Sequence, residues 1–257
     1  RAGMSSEELT VEQLVADTLA VTNYLRERFG QDKIYLLGHS GGSVIGILAA
    51  ARAPELYHAY IGMGQMAYQL KSETLAYDYM LPQFKANGNT NMVRKLEGAR
   101  PTLAGPLPAA YDMVRDDAMH SLGIGTTRDM KSIVTGVFFP SWKSPQYTLS
   151  EKIGLWRGKI NSAKRLRNTV FSTDLTQQVT RLDLPVYFFH GKYDYTCSYP
   201  LAKSFFEQIE SPVKGFYTFE QSAHSPIFEE PEQLRKILRE DVVAGANRLA
   251  DTEKNDR

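Results

Sequence analysis

One cysteine, Cys197, stands in 257 residues, which excludes an intrachain disulfide framework and a cysteine-based zinc site. Neither sign of charge is in excess. Lys+Arg number 30 and Asp+Glu 29, a formal +1 that is too even to draw in a polyanion, so no nucleic-acid partner is expected. No window approaches the roughly eighteen uninterrupted apolar residues of a membrane span. The most apolar stretch is only Val44 to Ala51, and no membrane association is expected. Gly 19 and Pro 12 are ordinary counts, which removes collagen-like and low-complexity classes. The five histidines form neither His-x-x-x-His nor His-Glu-x-x-His, so no metal site is expected. Position 1 is Arg, and residues 1–10 carry neither a charged-then-apolar leader pattern nor a strand pattern. A lone buried thiol fits a reducing compartment, and a cytoplasmic protein is expected.

What is present reads as one globular α/β chain. Val11, Leu14, Val15, Leu19, Val21, Tyr24, Leu25 and Phe29 recur at helical spacing, with Thr10 and Gln13 as a capping box and Gly30 as the stop. Lys33 to Gly38 is an apolar run of strand length, followed at once by His39-Ser40-Gly41-Gly42 and an Ala/Val/Ile/Leu-rich helix that Pro54 ends. Ala59 to Met63 reads as the next buried strand of a parallel sheet. From Met66 to Leu175 the strand signals fade into helical stretches with loop punctuation, an inserted subdomain carrying a net +6 from fifteen basic and nine acidic residues. Strands return at Leu184 to Phe189 and Gly215 to Phe219, with helices at Leu201 to Ile209 and from Pro231 to about Ala244. The division is therefore 1–65 (core, first part), 66–175 (insertion) and 176–257 (core, second part), with a frayed tail from Asp251.

The sharpest chemical signal is Gly38-His39-Ser40-Gly41-Gly42, a Gly-x-Ser-x-Gly at the junction of an apolar strand and a buried helix. The glycines let strand and helix approach around a strained residue, so Ser40 is the candidate nucleophile. A serine hydroxyl needs a base, and a base needs an orienting carboxylate. His39 packs in the strand half of the turn, His58 and His120 read as surface residues, and His190 ends a strand. His224, on a loop after the last strand, is the candidate base. Asp194 follows the Val186 to Phe189 strand and precedes His224 in the chain, which makes it the candidate acid; capping the next helix is its other reading. The Gly41 N–H, at a helix start beside the nucleophile, is one half of an oxyanion hole. The basic run Arg157, Lys159, Lys164, Arg165, Arg167 is a solvated helix face.

These residues resemble the α/β-hydrolase superfamily and, within it, the proline iminopeptidase-like branch. The likeness rests on Tyr35 to Ser43, on Phe189-His190-Gly191-Lys192-Tyr193-Asp194 and on Ser222-Ala223-His224-Ser225-Pro226 through Glu229-Glu230-Pro231-Glu232. It implies the α/β-hydrolase fold, a mostly parallel sheet flanked by helices, with the insertion as a mainly helical cap. It implies a cofactor-free serine hydrolase working through an acyl-enzyme on a short peptide with a free N-terminus. A small carboxylic ester is the alternative substrate, and a non-catalytic binding protein of the same fold is the alternative class. The best-known peptidases of the branch favour Trp where this chain has Gly41. They hold the substrate amine with cap carboxylates, for which Glu73, Asp78, Glu97, Asp112, Asp116 and Asp117 are candidates here. Family members open with strands and an oxyanion loop; Arg1 to Ser5 looks like the remnant of a later Asp-x-Arg-Gly-x-Gly-x-Ser stretch. The missing N-terminal part, or another chain, is expected to cover the exposed sheet edge.

Overall fold

Four apolar runs separated by helical stretches become one parallel sheet in the computed structural model, which describes residues 9–252 apart from the side chains of residues 163 and 164. Its strands, β1 (Ile34–His39), β2 (Tyr57–Met63), β3 (Val186–Gly191) and β4 (Lys214–Phe219), lie side by side in chain order. Leu36 pairs with Tyr60, Gly62 with Phe188 and Phe188 with Phe216, so the carboxyl ends of all four strands stand together. β3 is buried along its whole length, as a strand covered on both faces must be. The period of two splits the core. Tyr60, Phe188 and Phe216 join Val44 and Ile47 on one face, while Ile61, Phe189 and Tyr217 join Leu234 and Ile237 on the other.

Helix α1 (Val11–Phe29) starts where Thr10 Oγ1 accepts the Gln13 N–H at 3.0 Å and stops at Gly30, whose φ is 59°. The capping box is only half formed, because the Gln13 amide reaches forward to Asp17 Oδ1 at 2.8 Å. Helix α2 (Gly41–Arg52) buries Val44, Ile47, Ala49 and Ala50 against the sheet. Six α-helices separate β2 from β3: α3 (Gln69–Ala86), α4 (Thr90–Glu97), α5 (Ala109–Ser121), α6 (Phe139–Lys143), which a π-helical turn at Val134–Phe138 leads into, α7 (Leu149–Ser172) and α8 (Leu175–Gln178). They enclose a core of their own around Tyr77, Met80, Phe84, Leu96, Tyr111 and Met119. An antiparallel bridge from Tyr68 to Asp174 draws the two ends of the insertion together. On α7, Arg157 and Lys159 are exposed, and Arg167 pairs with Asp112.

After β3 come α9 (Tyr199–Gln208), then β4, α10 (Pro226–Glu229) and α11 (Pro231–Ile237). Asp251 is not part of a frayed tail. Its N–H donates to Phe216 O at 2.8 Å and its carboxylate accepts the Thr218 N–H and hydroxyl, so it satisfies groups along β4. The expectations for residues 1–5 and for the tail beyond 252 lie outside the described residues. Among the described residues β1 is an edge strand, with Tyr35 and Leu37 41% and 43% exposed beside Val21 at 56%. No helix among them is long and apolar enough to cross a membrane.

Candidate active site

Ser40 joins β1 to α2 with φ 56° and ψ −127°, the one described non-glycine residue at positive φ. Such a conformation costs about 1–3 kcal/mol and persists only where neighbours enforce it. They do: the Ser40 N–H donates to Met63 O at 3.0 Å, and its carbonyl accepts the Ser43 N–H at 2.8 Å and the Ser43 hydroxyl at 2.5 Å. Gly38 is obligatory, since a Cβ there would lie 2.7 Å from Gly42 O and from Ser43 Cα. Gly42 is not, for its Cβ would meet nothing within 4 Å. That departs from the expectation for both glycines, and the reason is position: Gly42 faces an open groove shared with Leu14, Val21, Tyr35 and Leu37. The Gly41 N–H opens α2, has no intrahelical acceptor, and points from the positive end of the helix dipole.

The structure brings Asp194 and His224 together. His224 Nδ1 donates to Asp194 Oδ2 at 2.8 Å, which leaves the lone pair on Nε2, a buried atom with no partner. Asp194 is fully enclosed. Burial raises its pKa, but His224 and then His190 outweigh burial and hold the carboxyl well below the usual range. It also caps the next turn, with Oδ1 accepting the Cys197 N–H at 2.9 Å, so one carboxylate makes both the capping contact and the bond to His224. The Ser40 hydroxyl is not joined to His224, whose Nε2 has no partner. Burial, then Asp194, push the pKa of the Cys197 thiol well up.

The other histidines sort by what surrounds them. His39 Nε2 donates to His224 O at 3.0 Å and the two rings stand 4.8 Å apart; burial, then His224, lower its pKa. His58 is exposed. His120 is not a surface residue: at 2% exposure its Nδ1 donates to Asp116 O at 2.6 Å and its Nε2 accepts the Thr126 N–H at 3.2 Å. His190 has a role that chain position alone did not disclose. Its Nε2 donates to Cys197 O at 2.8 Å and lies 3.3 Å from Asp194 Oδ2, a second imidazole on the same carboxylate.

A family model described as alpha/beta hydrolase fold matches residues 5–231. The chain belongs to the alpha/beta hydrolase family. A curated relative, the probable aminopeptidase YbaC of Bacillus subtilis (strain 168), is 26% identical over 237 residues, which are 91% of this chain and 73% of the relative. The proline iminopeptidase of Mycobacterium smegmatis superposes with a TM-score of 0.57 at 15% identity, covering 94% of this chain and 74% of that one. A proline iminopeptidase-related protein of Thermus thermophilus gives 0.53 at 18% identity, covering 93% and 72%. These structures share the hydrolase fold.

Two glycines of this hydrolase escaped the sequence reading because the contacts that demand them are tertiary. Gly64, at φ 52°, presses on the His224 ring, where a Cβ would be 2.9 Å from Cε1 and Nδ1. At Gly191 a Cβ would be 1.8 Å from Ala223 O and 2.6 Å from Ser222 O. Gly191→Ala is therefore expected to push the histidine loop off the sheet, lowering kcat by about 10²-fold, the scale of a displacement near 1 Å. Kinetics beside a thermal melt check it; unchanged kcat would mean that the loop position is immaterial.

The insertion's candidate carboxylates are mostly engaged. Glu73, with a fully buried side chain, takes Arg115 through both oxygens at 2.7 and 2.9 Å and the Tyr111 hydroxyl at 3.1 Å. Asp78 pairs with Arg100, Glu97 with Lys85, Asp112 with Arg167 and Asp116 with Arg115, while Asp117 is exposed. Gln69 bonds both Glu73 and Thr196 O, which ties the Glu73 cluster to the Asp194 loop. Of the insertion's aromatics, Tyr77 and Phe84 are core, Tyr79 stacks on Tyr195 at 4.2 Å, and Phe138 packs on Trp142 and Trp156.

Proposed function

We propose that the chain is a serine hydrolase in which Ser40, His224 and Asp194 form a proton relay. The observation that carries this is the buried Asp194–His224 bond of 2.8 Å, which leaves Nε2 bare at the strand end that presents a strained Ser40. Rotation about the Ser40 Cα–Cβ bond brings the hydroxyl to that nitrogen. As Ser40 Oγ bonds to the substrate carbonyl carbon, His224 Nε2 takes the hydroxyl proton and the Gly41 N–H donates to the developing oxyanion. The tetrahedral adduct collapses, its leaving amine or alcohol takes the proton from His224, and an acyl-enzyme remains. Water, giving its proton to His224, then releases the acid and restores Ser40. Asp194 keeps the ring in the working tautomer and opposes the charge it gains.

For substrate we propose a short peptide with a free N-terminus, supported by the aminopeptidase relative. The insertion then acts as the cap. A second reading, a small carboxylic ester, is favoured by the ion pairs that close Glu73, Asp78, Glu97, Asp112 and Asp116 to an incoming ammonium. Steady-state kinetics on matched aminoacyl anilides and acyl esters, each with an N-acetylated control, separates them. Strong preference for the free amine supports the peptidase reading, and indifference to acetylation defeats it.

We also propose that further polypeptide, of the same protein or of another chain, covers the apolar face beside β1. The strand edge next to Val21, Tyr35 and Leu37, unpaired among the described residues, supports this. The 257 residues alone are expected to self-associate in sedimentation velocity. A monodisperse, active monomer would contradict it.

A further inference from the structure

The loop that carries His224 leans on the insertion. The His224 N–H donates to Gly125 O at 3.2 Å, the Tyr195 N–H donates to Ile124 O at 3.3 Å, and the Arg128 guanidinium lies 3.5 Å over the Tyr193 ring. Tyr193 and Tyr195 flank Asp194. One short stretch of the insertion, 124–128, therefore touches the acid loop on both sides of the carboxylate and the base loop at the imidazole's own residue. The buried His120 backs this strap from inside: Nε2 holds the Thr126 N–H, and its ring fills the space where a Gly125 side chain would begin, 2.8 Å away.

Beside the His224 N–H to Gly125 O bond, one carboxylate reaches both strap and loop. Glu229, at the end of α10, accepts the Arg128 N–H through Oε1 at 2.6 Å and the Ala223 N–H through Oε2 at 2.9 Å. Its neighbour Glu230 holds the preceding residues, taking the Gln221 N–H at 3.0 Å and the Ser222 hydroxyl at 2.6 Å, but makes no contact of this kind with the strap. Two donors on two segments facing one group require an acceptor at both ends. A carboxylate supplies that, and an amide of the same shape does not.

We propose that Glu229 is a positioning residue, clasping the 124–128 strap to the histidine loop and so fixing where His224 stands against Asp194 and Ser40. Its effect on rate rests on the serine-hydrolase reading; the clasp itself does not. The insertion thereby contributes to the geometry of the base as well as to the surface above the site, and a movement of the strap is transmitted to His224 through Gly125 O and Glu229.

The test is Glu229→Gln in the full chain, read by hydrogen-exchange mass spectrometry over 124–128 and 221–225, by the rate of Ser40 labelling with a fluorophosphonate, and by thermal melting. Glu229→Asp, which keeps both acceptors on a shorter stem, is the conservative control. Glu229→Gln is expected to speed exchange in both segments and to slow labelling by between about tenfold and a hundredfold, the scale of a misplacement near 1 Å. In kinetics kcat falls while KM holds within about twofold, the melt hardly moves, and Glu229→Asp recovers part of the rate. A merely structural Glu229 would lower the melting temperature and leave the kcat-to-KM split unchanged. Unchanged exchange overturns the clasp, and faster exchange with undiminished labelling overturns the positioning role. A wild-type chain that fails to label overturns the serine-hydrolase reading instead, while exchange still decides the clasp.

Discussion

Replacing Ser40 by alanine is expected to lower kcat by on the order of 10⁶-fold, leaving the residual rate that binding and oxyanion stabilisation alone supply. The loss should appear in kcat rather than KM, because the role proposed for the hydroxyl is to form a bond to the substrate. Its backbone is held by Met63 O and Ser43, not by the side chain, so the elbow persists. Stability should hold, since the backbone contacts that fix the elbow remain and alanine occupies the same positive φ. A Ser40→Ala protein that keeps a tenth of the wild-type kcat on any substrate would transfer the nucleophile's role elsewhere.

Asp194→Asn is expected to cost about 10⁴-fold in kcat, by a different route. The new amide can still accept the Cys197 N–H through its oxygen, which turns its NH₂ toward His224 Nδ1, which now donates to Oδ2, and toward His190 Nε2, 3.3 Å from it. Donor meets donor. His224 escapes the conflict by moving its proton to Nε2, and the nitrogen that should receive the Ser40 proton already carries one. The same substitution changes the pH dependence of stability. Folding lowers the Asp194 pKa, since His224 and His190 outweigh the opposing effect of burial, so ionised Asp194 stabilises the fold above the unfolded value near 3.9. That contribution is lost as pH falls below about 4 toward the lowered folded value. Wild-type melting temperatures should drop through this acid range, and those of Asp194→Asn should drop less. Parallel acid limbs would show that Asp194 does not gain its charge stabilisation from the two histidines.

The parts of this fold legible in the sequence are those decided by near neighbours. Thr10 and Gly30 bound α1 because cap geometry is local, and β1, Ser40 and α2 follow one another because an apolar run, a glycine-flanked serine and an Ala-rich run can be read from their order. Asp194 and His224 were nameable from their places after strands, although nothing in a sequence measures the 2.8 Å between them. What was not legible depends on segments that meet from afar. His120 looks like any polar residue of a helix until the 124–126 turn folds back on it, and Asp251 looks like tail until β4 presents Thr218. Gly64 and Gly191 are constrained by the histidine loop, so their need to be glycine arises only after folding. Gln13 shows a local rule losing to a competitor, with Asp17 one turn ahead taking its amide.

The relay of Ser40, His224 and Asp194 is tested most directly by treating the purified protein with a fluorophosphonate and mapping the adduct by peptide mass spectrometry. The account predicts a single phosphonyl adduct on Ser40 in the wild-type chain, and labelling slowed by orders of magnitude in Asp194→Asn although Ser40 is intact. An unlabelled Ser40 under conditions that modify an ordinary esterase, or labelling of Ser40 at the same rate in Asp194→Asn, would contradict it.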